Sequence, residues 1–72
     1  MNNRDRLIDL IIDNHMERRE VAELLSVSRE QVDRWLYPRE HPQAEEVPTM
    51  AVELLELKLK LGLRQETAER GE

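Results

Sequence analysis

Residues 19–36 read REVAELLSVSREQVDRWL, and this stretch decides the fold. It predicts two short helices joined by a tight turn. Ala22 is a small residue one turn into the first helix, where two helix backbones must approach closely. Leu24, Leu25 and Val27 are apolar and close the corner between the helices. Ser28 is suited to cap the second helix, and Gln31 three residues later completes a capping box. Val32, Trp35 and Leu36 give the second helix one apolar stripe at helical spacing. Glu30, Asp33, Arg34 and Tyr37 then point away from that stripe, with Arg29 and Gln31 on its flanks. This is the layout of a helix-turn-helix, a motif that lays its second helix in the DNA major groove.

The same residues carry a resemblance. The segment resembles the helix-turn-helix of phage and bacterial repressors of the Cro/CI-like class, and the chain is similar in size and layout to the small repressors encoded beside anti-CRISPR genes. The class has a small residue at the place of Ala22, apolar residues at Leu25 and Val27, and apolar anchors at Val32 and Trp35. The departure is Ser26, where the family prefers glycine. A left-handed backbone there costs a non-glycine residue roughly 1–2 kcal/mol. The resemblance covers about a quarter of the chain. It implies a regulator of a short operon, often including its own gene.

Outward from the motif, the chain reads as all-α: a compact domain of four to five helices. A first helix is expected from about Asn3 to Asp13, with Asn3 as N-cap, Asp5 in the favourable first turn and Asn14-His15 as the stop. The second and third span about Arg18–Ser26 and Ser28–Tyr37, and Pro38 ends the third. Residues 38–47, with Pro38, Pro42 and several charges, read as a spacer, with a wing-like loop as the other reading. A fourth helix begins near Pro48 and runs to Leu61, stopped by Gly62. Residues 1–63 make one domain, and 64–72 a flexible acidic tail with no apolar side chain larger than Ala68.

The fourth helix has two apolar stripes. Met50, Leu54, Leu57 and Leu61 fall within about 40° of one direction at helical spacing, and Val52, Leu55 and Leu59 lie nearly opposite. A small domain needs only one stripe for its own core. The other implies a partner, and the same helix of a second copy is the simplest one. Val52, Leu55 and Leu59 are assigned to that dimer interface and the other four to the chain's own core; the reverse assignment satisfies the same pattern.

Composition bounds the function. Seventy-two residues bury little surface, so a dimer would help stability. No cysteine is present, which excludes disulfides and cysteine-based zinc sites. No segment suits a membrane span or signal peptide, so a cytoplasmic protein is expected. Net charge is −5, against the basic footprint usual for a nucleic-acid binder. The charge is uneven, however. Residues 1–39 hold seven Arg against eight Asp or Glu, and residues 40–72 hold four Lys or Arg against eight Glu. The motif half is near neutral, and non-specific DNA affinity should be weak.

Site residues follow from chemistry. Arginine bonds guanine in bidentate fashion and glutamate accepts from cytosine. Arg29, Glu30 and Arg34 are the expected base readers, and Asp33 is expected to orient an arginine. Arg18, Arg19, Ser28, Gln31 and Arg39 are the expected phosphate contacts. Trp35 belongs to the core, while Tyr37 is placed either on a phosphate or on the linker. Neither His15 nor His41 has a metal-ligand partner at useful spacing, and nothing pairs a nucleophile with a base. The expectation is a sequence-specific transcriptional regulator, a homodimeric repressor of a short phage or bacterial operon that could include its own gene, on an inverted-repeat operator in double-stranded DNA. It has no enzymatic activity, cofactor, metal, membrane contact or small-molecule effector. The alternative is a protein-interaction module, anti-repressor or antitoxin-like, that uses the acidic surface.

Overall fold

Short local signals end every helix of this chain. The computed structural model describes residues 2–63, and those residues form four helices and no strand. They are α1 (Asn3–Asp13), α2 (Arg18–Leu25), α3 (Arg29–Leu36) and α4 (Thr49–Lys60). The architecture is all-helical, as the periodicity predicts. Residues 64–72, read as a tail, lie outside the described residues.

Polar side chains cap α1 and α3. Asn2, one residue before the expected Asn3, caps α1 by accepting from the Asp5 N–H at 2.8 Å. Asn3 instead ties α1 to the start of α4, since its amide donates to the Val47 carbonyl at 2.9 Å and to Thr49 Oγ1 at 3.0 Å. Ser28 caps α3 by accepting from the Gln31 N–H at 3.0 Å. The Gln31 side chain reaches toward the linker, its amide N–H donating to Glu45 Oε1 at 2.7 Å, and the expected return bond to the Ser28 N–H is not formed. Pro48 stands at the N-cap of α4, one place earlier than expected.

Three C-termini close alike. His15, Ser26 and Gly62 have φ of 52°, 58° and 72°, all left-handed. At each, two N–H groups fold back onto the last turn. Met16 and His15 donate to Ile11 and Ile12, Val27 and Ser26 to Ala22 and Glu23, and Leu63 and Gly62 to Lys58 and Leu59, at 2.9–3.3 Å. This crossed pair is the Schellman motif, which satisfies orphan carbonyls of a helix end. Only Gly62 adopts it without a Cβ penalty. The turn between α2 and α3 therefore takes the left-handed geometry expected of it, on a serine. Helix α3 ends differently, with Tyr37 extended before Pro38.

Packing closes the fold. Helix α2 packs on α3 and α4, and α1 packs on α4 and α3. Leu7, Val21, Val32, Val52 and Leu55 are wholly buried, and Ala22, Leu25 and Trp35 join them. Val27 and Leu36 only pack against this cluster from its edge. Two long cations cap helices from a distance. Arg4 donates to the Leu36 and Tyr37 carbonyls at 3.0 and 3.1 Å, and Lys58 to the Leu24 carbonyl at 2.7 Å. Each brings positive charge to a helix C-terminus, where the macrodipole favours it.

Two further expectations are corrected. The apolar stripes of α4 are reversed. Val52 and Leu55 are fully buried in the chain's own core and Leu59 packs beside them. Met50, Leu54, Leu57 and Leu61 are 80%, 40%, 52% and 62% exposed. Burial of Val52 and Leu55 sets the rotation of α4, and Lys58 on α2 and Arg6 of α1, 3.4 Å from Glu56, are compatible with it. The linker is also more than a spacer. Val47 is buried, Glu45 N–H donates to the Arg34 carbonyl at 3.0 Å, and Asn3 holds Val47 from α1.

Candidate nucleic-acid interface

Helix α3 turns Val32 and Trp35 into the core and presents a polar opposite face. Arg29 and Glu30 are exposed in the first turn, beside the Ser28 cap. Asp33, Arg34 and Tyr37 follow, half-buried by their neighbours. Of the base readers expected from the sequence, Glu30 and Arg34 are brought together, whereas Arg29 lies on the flank toward Arg18 and Arg19.

The charges on that surface are mostly paired. Arg34 lies 2.9 Å from Glu30 and 4.0 Å from Glu45. Arg18 donates to Asp33 at 2.8 Å, so the arginine that Asp33 orients comes from α2. Arg19 sits between Glu17 at 3.3 Å and Glu23 at 3.7 Å. Arg29 and Arg39 are exposed and make no ion pair with any described residue. The Tyr37 ring stacks on His41 with centroids 4.0 Å apart, which places it on the linker.

Arg18, Arg19 and Arg29 rim an open depression floored by Ile8, Ile11 and Met16. This gathers three cations where α2 begins, with Glu17 beside them. The other end of the face is acidic, because the linker brings Glu45 onto Gln31 and Arg34. Of the expected phosphate contacts, Arg18 and Arg19 therefore sit together. Arg39 lies apart, on the linker side with Tyr37 and Glu45. Gln31 is turned to Glu45 rather than outward.

Glu45 and Arg4 were not legible as parts of this site. Arg4 secures the C-terminus of α3 across more than thirty residues of sequence. Neither has a local signal, since a charged residue in a linker or on a wet helix face looks the same wherever it points. Among the described residues no His, Cys, Asp or Glu cluster could hold a metal ion, and no helix is long and apolar enough to cross a membrane. No protein-family model matches the chain, and neither curated proteins nor solved structures give a match.

Proposed function

We propose that this chain is a sequence-specific regulator of transcription that binds double-stranded DNA as a homodimer, with α2, the Ser26 turn and α3 as its helix-turn-helix. One observation carries this reading. The first turn of α3 stands clear of the core with Arg29 unpaired among the described residues, next to Arg18 and Arg19 at the start of α2. In this docking mode the N-terminal residues of the second helix reach the bases, and the first helix crosses the backbone. Arg29, Glu30 and Arg34 read base edges. Arg18 and Arg19 hold phosphate, with Arg39 contributing from the loop.

The existing ion pairs do not prevent this. They lie at the surface on partly exposed side chains, and surface pairs contribute about 0–1 kcal/mol. One bidentate contact to guanine gives about 1–3 kcal/mol of discrimination. Exchanging Glu30 for guanine at Arg34 is therefore favourable on the right sequence and roughly neutral on others. With about three phosphate-binding arginines per copy, a dimer should show a log–log salt slope near −5. The resemblance of residues 19–36 to Cro/CI-like repressors directs the reading toward repression of a short operon.

The test is selection from a random duplex library, followed by fluorescence polarisation on the enriched duplex at two salt concentrations. An inverted repeat with half-sites about one helical turn apart is the expected product. No enrichment, or equal affinity for a scrambled duplex, would sink the proposal. A second reading, a protein-interaction module, is favoured by the carboxylates that already occupy Arg18, Arg19 and Arg34. It takes the lead if selection fails.

A further inference from the structure

The outer face of α4 carries an apolar stripe that nothing described in this chain covers. Met50, Leu54, Leu57 and Leu61 line it, and Leu63, 56% exposed, continues it past the helix end. Residues 64–72 contain no apolar side chain larger than Ala68, so they offer nothing of the size needed to cover it. Glu53 and Lys60 lie on one flank of the stripe, both exposed and neither in an ion pair with any described residue. Ala51 and Lys58 lie on the other flank.

We infer that two copies of this chain pair through α4 in antiparallel fashion, with Glu53 of each copy against Lys60 of the other. This rests on the homodimer within the function proposed above and deepens it by specifying the interface. The spacing 50, 54, 57, 61 is that of a coiled-coil seam, alternating four and three. Reversing one helix sets Met50 opposite the second copy's Leu61, and Leu54 opposite its Leu57. A two-fold axis across the helices also brings each flank against its own counterpart running the other way. Glu53 then meets Lys60 twice, once at each end.

Parallel pairing satisfies fewer of the same charges. It turns the Glu53 and Lys60 flank toward Ala51 and Lys58. The Lys58 ammonium is already donated to the Leu24 carbonyl at 2.7 Å, and Lys60 would face no acid on the described helix. The exposed parts of the five apolar side chains come to roughly 500 Å² per copy, so they contribute at most about 1,000 Å² to the pair, the lower end of specific interfaces. The dimer should be reversible, forming at micromolar rather than nanomolar concentration.

Sedimentation at low salt and without DNA tests this on four samples: the parent, Glu53→Lys, Lys60→Glu, and an equimolar mixture of the two. Both substituted positions are exposed, and circular dichroism checks that α4 persists. The parent should dimerise. Each single substitution sets like charges together at both ends and should weaken the dimer at least about tenfold. The mixture should regain the parent's affinity, because it opposes lysine to glutamate at both ends. A parent that stays monomeric at roughly 100 μM leaves the stripe without a second copy and overturns the inference. So does a mixture that fails to recover, most directly if Lys58→Glu, rather than Lys60→Glu, restores Glu53→Lys, since that is the parallel pair. Because no DNA is present, failure of the DNA-binding reading leaves this result standing.

Discussion

Leu55→Ala and Leu57→Ala make the same chemical change two residues apart on one helix, and the fold predicts very different outcomes. Leu55 is fully buried on the face of α4 that packs against α1 and α2. Truncation removes three carbons, worth roughly 2 kcal/mol of transfer free energy at about 0.8 kcal/mol per methylene. The void that remains adds to this. Leu7, Val21 and Val52 are themselves wholly buried on three helices, so none can shift into it freely. A total of about 3–4 kcal/mol is expected, within the range for such truncations. A chain of this length has only about 4–10 kcal/mol to lose. The melting temperature should fall by roughly 15–30 °C, at about 4–8 °C per kcal/mol in a small domain. Leu57 is 52% exposed. Its truncation leaves no enclosed void and should cost less than about 1 kcal/mol. Trp35, the only tryptophan and buried, reports unfolding in urea by its fluorescence. The measurement is made at several protein concentrations, because a dimer adds stability by mass action. Equal losses in the two variants, or a larger loss for Leu57→Ala under monomeric conditions, would refute the assignment of the two stripes.

Other expectations are independent of that one. Ser26→Gly relieves a left-handed serine worth roughly 1–2 kcal/mol and adds unfolded-state entropy worth about half of that, so it should raise stability by about 0.5–1 kcal/mol; a lower melting temperature would contradict the strain at this turn. Trp35→Ala should destabilise by roughly 3–5 kcal/mol in calorimetry or circular dichroism, and a parent-like melt would exclude its core role. On a selected duplex, Arg34→Ala should cost about 1–3 kcal/mol per half-site and relax preference at one base pair in each, whereas Arg19→Ala should weaken all sequences alike and reduce the salt slope by about two, one for each copy. Indistinguishable behaviour of those two variants in polarisation titrations would remove the division between base and phosphate contacts.

Much of the architecture is local and so was legible. The Ser28 cap, the stop at Pro38, the left-handed Ser26 and the Gly62 ending each involve residues within five positions of one another. Their physics is backbone sterics and short-range hydrogen bonding, which a linear sequence records directly. The stripe of Val32 and Trp35 on α3 was likewise unambiguous, because that helix has only one apolar face. Helix α4 has two, and periodicity says only that they are opposite. Burial of Val52 and Leu55 rather than Leu54 and Leu57 depends on how α1 and α2 receive the helix. The Arg6–Glu56 pair and the Lys58 bond to Leu24, which accompany that rotation, join residues 50 and 34 positions apart. The same holds for the site. The sequence places Arg18, Arg29, Glu30 and Arg34 near one surface, but their electrostatics depend on Asp33 taking Arg18 and Glu45 returning from the linker to Gln31 and Arg34. Side-chain charge is written in the sequence; which opposite charge lies within 4 Å is a property of the packed chain alone, because Coulomb energy depends on distance in space and not along the backbone.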